Sequence, residues 1–120
     1  MFALELTAAG RDTQIVAARG AVHLHEAREL ERAILAGIAQ GRTRVVVDLS
    51  EVTAVGPGLL GVVLRVRRGV TRVGGSLALV VVGPPVADLV GTTLLASLIQ
   101  VAGDLRRALL LVGEDAAVAL

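Results

Sequence analysis

Hydrophobic and polar residues follow two different periods in the first part of the chain. Residues 2–7 alternate at every second position, as in a half-buried strand, and residues 13–18 are predicted to form a second strand after the turn Gly10-Arg11-Asp12. We therefore expect the chain to open with a β-hairpin. From residue 24 to residue 40 the apolar positions recur at steps of three and four, which predicts an amphipathic helix that ends at Gly41.

The middle of the sequence predicts a helix between two buried strands. Residues 44–49 include the consecutive valines of a covered central strand, and residues 77–82 are a second apolar run. Between them Gly56-Pro57-Gly58 interrupts the chain and precedes a helix that ends at Gly74-Gly75. The apolar stripe of this helix is Leu59, Val63, Val66 and Val70, with Val62 at its edge. Together these elements form a β-α-β unit, whose crossover is right-handed.

The last third of the sequence gives weaker signals. Gly83-Pro84-Pro85 precedes a short predicted helix that reaches Val90, and residues 97–101 are predicted to form an edge strand. Asp104 is expected to cap a closing helix. The whole pattern predicts an α/β fold: one domain, residues 1–120, with a mixed sheet of about five strands and about four helices packed mostly on one face.

Composition narrows the class of protein. Hydrophobic residues make up 54% of the chain, and no cysteine is present to form a disulfide or a thiolate zinc site. His23 and His25 are too few to indicate a metal, so we expect no metal and no cofactor. A net charge of +1 and a single aromatic residue also argue against a nucleic-acid partner.

The high hydrophobic content raises the question of a membrane span. The two longest uncharged stretches, residues 73–87 and residues 89–103, are each 15 residues long. A spanning helix needs about 20 mostly apolar residues. The chain start has no basic segment and carries Glu5 where the core of a signal peptide would lie. We therefore expect a cytoplasmic protein with no membrane span.

The order of the predicted elements and four short motifs resemble the STAS family. The motifs are Gly20-Ala21-Val22-His23, Asp48-Leu49-Ser50, Gly74-Gly75-Ser76-Leu77 and Leu105-Arg106-Arg107-Ala108-Leu109. Their spacing covers nearly the whole chain. The resemblance implies a STAS-like sheet and a protein-binding role of the anti-sigma factor antagonist type.

The chain departs from this family at the position that a kinase modifies. The family motif Asp-Ser-Ser/Thr-Gly falls on Gly56, Pro57, Gly58 and Leu59, so Gly58 replaces the phosphoacceptor. His23 and Gly56 stand where the family carries two pocket carboxylates. The resemblance therefore implies a binding module that serine phosphorylation does not switch at this position.

Other interpretations of these residues remain open at this point. Residues 56–61 also fit the pattern G-x-G-x-x-G, but a dinucleotide site needs an acid about 20 residues further on, and residues 76–82 contain none. A helix start is the favoured interpretation. The two histidines are interpreted as surface residues, with a pH-sensing or ligand role as the alternative. No nucleophile is paired in the sequence with a plausible base, so we expect no enzymatic activity.

The helix after Pro57 carries the predicted partner surface. Arg65, Arg68 and Arg72 share the face opposite the apolar stripe, and residues 52–87 contain four arginines and no acid. This face is either a solvated surface or, together with residues 56–59, a docking site for an acidic partner. We expect Gly58 and Arg68 to be exposed.

The resemblance also limits the kind of partner. The partners it implies are an anti-sigma factor with serine kinase activity or another STAS-containing protein, and a homo-oligomer remains open. The alternative function is a structural or accessory subunit of a larger assembly, such as a stressosome-like scaffold or a lipid-transport ABC system.

Overall fold

Five strands form one mixed sheet in the computed structural model, which describes residues 1–92 and 97–114. The strands are β1 (Phe2–Ala8), β2 (Thr13–Val22), β3 (Arg44–Val55), β4 (Ser76–Val80) and β5 (Gln100–Ala102). Spatial order equals chain order; β1 pairs antiparallel with β2, and the other neighbours pair in parallel. The predicted hairpin, the mixed sheet and the edge position of the last strand are confirmed.

Helices cover both faces of this sheet unequally. They are α1 (Leu24–Ala39), α2 (Gly58–Arg72), α3 (Val86–Thr92) and α4 (Leu105–Leu111). Side chains of a strand alternate between faces. Val45 and Val47 of β3 accordingly pack in the larger core with α1, α2 and α3, whereas Val46 packs with Ala108 and Leu109 of α4. Three helices therefore lie on one face and α4 lies on the other. The prediction that the helices pack mostly on one face is confirmed.

The central strand is longer than the sequence predicts. β3 continues through Ser50 to Val55, and its last residue pairs with Val22 of β2. The β4 ladder stops at the pair Asp48↔Val80, so the second half of β3 has no β4 neighbour on that side. Ser50 and Glu51 are exposed there. These polar residues therefore do not interrupt the strand, and β3 carries the chain directly to the start of α2.

A buried glutamine fixes the far end of α1. Gln14 of β2 donates hydrogen bonds from Nε2 to the carbonyl oxygens of Ile34 and Arg42, at 3.0 and 3.1 Å. A β-carbon at Gly37 would lie 2.3 Å from the Gln14 side-chain oxygen, so the helix approaches the sheet closely only because this residue is glycine. The buried amide holds the last turns of α1 at a defined position over β2.

The ends of the short elements follow local signals. Asp104 caps α4, as predicted, by accepting a hydrogen bond from the backbone N–H of Arg107 at 2.8 Å. The short helix after the two prolines and the edge strand are both present; the helix ends two residues later than predicted, and β5 begins three residues later and ends one residue later than predicted. Within the described residues no helix is both long and apolar enough to cross a bilayer.

The burial of α2 corrects one detail of the predicted stripe. Val62, expected at its edge, is 0% exposed, compared with 4% for Val63. Val62 lies one turn from Gly58 and one turn from Val66, so it faces both α1 and the sheet. The apolar face of α2 is therefore wider than a stripe that contacts the sheet alone.

We expect Val62→Asp and Val63→Asp to lower the free energy of unfolding by similar amounts, roughly 3 kcal/mol or more, because each buries a carboxylate that has no partner. The matched control is Leu64→Asp on the same helix, where the native side chain is 38% exposed. Urea denaturation followed by circular dichroism measures all three variants. A Val62→Asp variant as stable as Leu64→Asp would show that the rotation of α2 described above is wrong.

Candidate partner-binding site

The ends of β2 and β3 bring the starts of two helices together. The backbone N–H of Gly56 donates a hydrogen bond to the carbonyl of Val22 at 2.9 Å. His23 then begins α1, and its backbone N–H donates to Glu26 Oε1 at 3.1 Å, which caps that helix. A β-carbon at position 56 would lie 3.1 Å from His23 Nδ1. Positions 23 and 56 are therefore neighbours, and the imidazole lies over the glycine.

The next pair of residues is packed more tightly. A β-carbon at Gly58 would lie 2.9 Å from Leu24 Cδ1 and 3.1 Å from Leu24 Cα. Both distances are shorter than ordinary van der Waals contact, and the second one is to backbone. Gly58 is half-buried by this contact, so the expectation that it is exposed is wrong. Leu24 itself stays 49% exposed, and it forms the outer surface at the start of α2.

The start of α2 has an unusual cap. Pro57 occupies the N-cap position with helical backbone angles, and no side chain accepts a hydrogen bond from the first turn. The first helical residue is therefore Gly58, one residue later than the predicted helix start at Pro57. Pro57 is exposed and Gly56 is half-buried, whereas the Leu59 side chain is in the core. A partner at this helix start would meet Pro57, the glycine backbone and Leu24 rather than Leu59.

Three contacts align α2 with α1 along their whole length. Gly58 meets Leu24, Arg65 meets Glu31, and a β-carbon at Gly69 would lie 3.6 Å from Leu35 Cδ2. The contacts advance in the same direction along both helices, so the helices are parallel. Glycine at two of the three positions on α2 allows the close approach.

Arg65 is held by its contact with α1. Its Nε and an Nη donate hydrogen bonds to the two carboxylate oxygens of Glu31 at 2.9 and 3.2 Å. These hydrogen bonds, with the charge of Glu31, raise the pKa of Arg65 above its usual value. Such a paired arrangement fixes the guanidinium plane. Arg65 is thus oriented by the fold before any partner arrives.

Arg68 and Arg72 differ from Arg65. Both side chains are exposed, and neither forms an ion pair with any residue in 1–92 or 97–114. Arg67, which the predicted surface left out, donates from Nε to the carbonyl of Leu98 at 2.8 Å and so contacts the turn that precedes β5. The structure therefore brings the three predicted arginines to one helix face, with two of them available for contact.

The alternatives of metal and nucleotide binding gain no geometric support. No three histidine, aspartate or glutamate side chains of the described chain lie together as metal ligands would. His25 Nε2 pairs instead with Glu29 at 3.0 Å on the surface of α1. In a dinucleotide site the glycines leave space for a pyrophosphate. Here Leu24 lies against Gly58, so the glycine accommodates a helix–helix contact.

The amino-acid sequence over most of these elements matches a known family model, described as Mlab, STAS domain, across residues 6–103. The chain belongs to the STAS domain family. No curated protein matches its sequence significantly.

Several solved structures share the fold at low sequence identity. An anti-sigma factor antagonist from Mycobacterium paratuberculosis superposes with a TM-score of 0.84 at 23% identity, covering 95% of this chain and 96% of that one. SpoIIAA in its unphosphorylated form gives 0.72 at 17% identity, with 90% and 94% covered. Phosphorylated SpoIIAA from Bacillus gives 0.68 at 19%, with 85% and 93% covered. At these identities the likeness establishes a common fold.

The site of this STAS domain also contains residues that the sequence did not single out. Leu24 covers the start of α2, and Glu31 orients Arg65. Both contacts join residues 34 positions apart, which helical periodicity within α1 or α2 cannot reveal. The only signal available in the sequence is the pair of small residues at positions 56 and 58, which indicates a close approach of some other chain segment.

We expect Gly58→Ala to lower the free energy of unfolding by about 1–2 kcal/mol, because its methyl group overlaps Leu24. Gly61→Ala is the matched control in the same helix: the nearest atom to its β-carbon is Arg65 Nη1 at 3.6 Å. Alanine there should stabilise the protein by up to about 1 kcal/mol through helix propensity. Combining Gly58→Ala with Leu24→Ala should remove only part of the Gly58→Ala penalty, because Leu24 Cδ1 is lost but the contact with the backbone Cα at 3.1 Å remains. Thermal melts that show equal gains for both glycine replacements would refute the tight contact.

Proposed function

We propose that this STAS domain is a non-catalytic protein-binding module that acts as an anti-sigma factor antagonist and is not switched by serine phosphorylation. Membership of the family and the fold shared with anti-sigma factor antagonists support the first part. The observation that carries the second part is Gly58, at the phosphoacceptor position of the family motif and under Leu24.

The start of α2 offers no group that could accept a phosphate. Residues 56–59 are glycine, proline, glycine and leucine, which have no side-chain hydroxyl. The nearest hydroxyls along the preceding strand, Ser50 and Thr53, are exposed on the second half of β3. Phosphorylation would add a charge of about −1.5 to −2 at the docking site. Because residues 56–59 accept no phosphate, phosphorylation does not change the charge of the surface beside α2.

The chemistry of this surface favours an acidic protein partner. Arg68 and Arg72 are exposed on α2, a helix that contains no acidic residue, and Leu24 and Pro57 add apolar contact area at its start. Arginine and apolar side chains together are typical of protein–protein interfaces. The partner we propose is an anti-sigma factor of the serine kinase type, or another STAS-containing protein.

One observation also favours a second function, that of an accessory subunit in a larger assembly such as a stressosome-like scaffold or a lipid-transport ABC system. A permanently assembled subunit needs no phosphorylation switch, and this chain has lost the phosphoacceptor. The two functions differ in partner: an anti-sigma factor for the first, a membrane permease complex or scaffold for the second. Stable co-purification with a permease would favour the accessory subunit.

Binding to purified anti-sigma factors of the kinase type, taken from the genome that encodes this chain, tests the proposed function. We expect one of them to bind, and we expect its affinity to stay the same after incubation with ATP, because residues 56–59 accept no phosphate. Calorimetry gives the affinity and mass spectrometry gives the phosphate content.

The control for this experiment is the double variant Gly58→Ser with Leu24→Ala, which restores a hydroxyl and removes the side chain that covers it. This variant should gain phosphate and release the anti-sigma factor. Two results would contradict the proposal: stoichiometric phosphate on Ser50 or Thr53 of the wild-type protein, or no binding to any of these anti-sigma factors.

A further inference from the structure

The alignment of α1 with α2 fixes which side chains border the groove between them. The contacts Leu24–Gly58, Glu31–Arg65 and Leu35–Gly69 define the row of each helix that faces the other. Side chains three or four residues apart lie on the same side of a helix. Positions next to these rows on the outer side therefore belong to one continuous surface.

Arginines occupy these outer positions on both helices. On α1, Arg28 lies four residues after Leu24, and Arg32 follows one turn later; both are exposed. On α2, Arg68 and Arg72 lie three residues after Arg65 and Gly69, and both are exposed as well. None of these four side chains forms an ion pair within residues 1–92 and 97–114. Arg65 lies between them.

Two carboxylates of α1, Glu29 and Glu31, lie beside this group, and each is paired with another side chain. Glu31, the acid in the groove, is 16% exposed and is neutralised by both hydrogen bonds from Arg65. Glu29 precedes Arg32 by three residues, on the same side of α1, and pairs with His25 at 3.0 Å. Four exposed arginines, in addition to the paired Arg65, outnumber these two carboxylates, so the surface is basic although the whole chain carries a net charge of only +1.

We infer that this surface, formed by Arg28, Arg32, Arg65, Arg68 and Arg72 and named here the α1–α2 surface, is a single docking site for an acidic protein partner. The inference rests on the proposed function for the identity of that partner and adds α1 to the site. Guanidinium groups bind carboxylates through two hydrogen bonds, as Arg65 already does with Glu31.

The apolar residues of the same surface favour a protein over a lipid or a nucleic acid. Leu24, Leu35 and Leu64 are all more than a third exposed along the two helices. Apolar side chains among arginines match the composition of protein interfaces. A phosphate backbone would gain little from them, and single-stranded nucleic acid would need aromatic side chains to stack on.

Charge reversal on each helix separately tests this inference. One variant is Arg28→Glu with Arg32→Glu on α1, and the other is Arg68→Glu with Arg72→Glu on α2. The matched control is Arg11→Glu with Arg106→Glu, which changes the net charge equally; Arg11 lies in the β1–β2 turn and Arg106 on α4, across the sheet. All of these residues are exposed, so melting temperatures should stay close to that of the wild type.

The first probe is the anti-sigma factor that binds in the experiment above. We expect each helix variant to weaken its binding by about tenfold at low salt, and the control by less than about twofold. Loss of affinity with the α2 variant alone would overturn the inference and leave the proposed function intact. The inference would also be overturned if both helix variants lost no more affinity than the control variant does.

The second probe is a short polyglutamate peptide, which decides the matter even if no anti-sigma factor binds. We expect chemical-shift changes of the wild-type protein on α1 and α2 together, and their loss in both helix variants. Changes confined to α2, or equal changes at Arg11 and Arg106, would refute a single surface. Tighter binding to phosphatidylglycerol vesicles or to duplex DNA than to polyglutamate would show that the surface serves another class of ligand.

Discussion

The contact between Leu24 and Gly58 sets the relation between the two helices on which the site depends. It exists because β2 and β3 run in parallel and end side by side, so that α1 and α2 start next to each other. Most other side chains at position 58 would keep the two helices apart, but Gly58 has only hydrogen atoms there. The contact fixes the alignment of α1 with α2, and the pair Glu31–Arg65 then lies about two turns further along both helices.

The same contact gives Gly58 a structural role at the start of α2. A serine at position 58 would need space that Leu24 now occupies, so the helix start and the glycine are adapted to each other. We propose that the docking surface of this chain therefore keeps one charge state. SpoIIAA, which shares the fold, is known in both phosphorylated and unphosphorylated forms.

Local signals were enough to predict most of the fold. The hairpin, the β-α-β unit and the Asp104 cap all depend on residues within a few positions of each other, and all are present. The continuation of β3 past Ser50 was missed because it depends on pairing with β2. Val62 was placed at the edge of the apolar stripe because the pattern shows that α2 packs on a sheet but does not show that α1 covers its flank.

For the candidate site, the sequence indicates residues 56–59 and the arginine face of α2. Leu24, Glu31 and the arginines of α1 join this site only through tertiary packing.

The central claim is the close packing of Leu24 on Gly58, and a nuclear Overhauser experiment on the wild-type protein tests it most directly. With the Leu24 methyl groups and Gly58 assigned, the account predicts a strong cross-peak between a Leu24 δ-methyl and a Gly58 α-proton, because that proton points toward Leu24 Cδ1. Absence of this cross-peak, with the Leu24 methyl groups showing contacts only to other residues, would contradict the account.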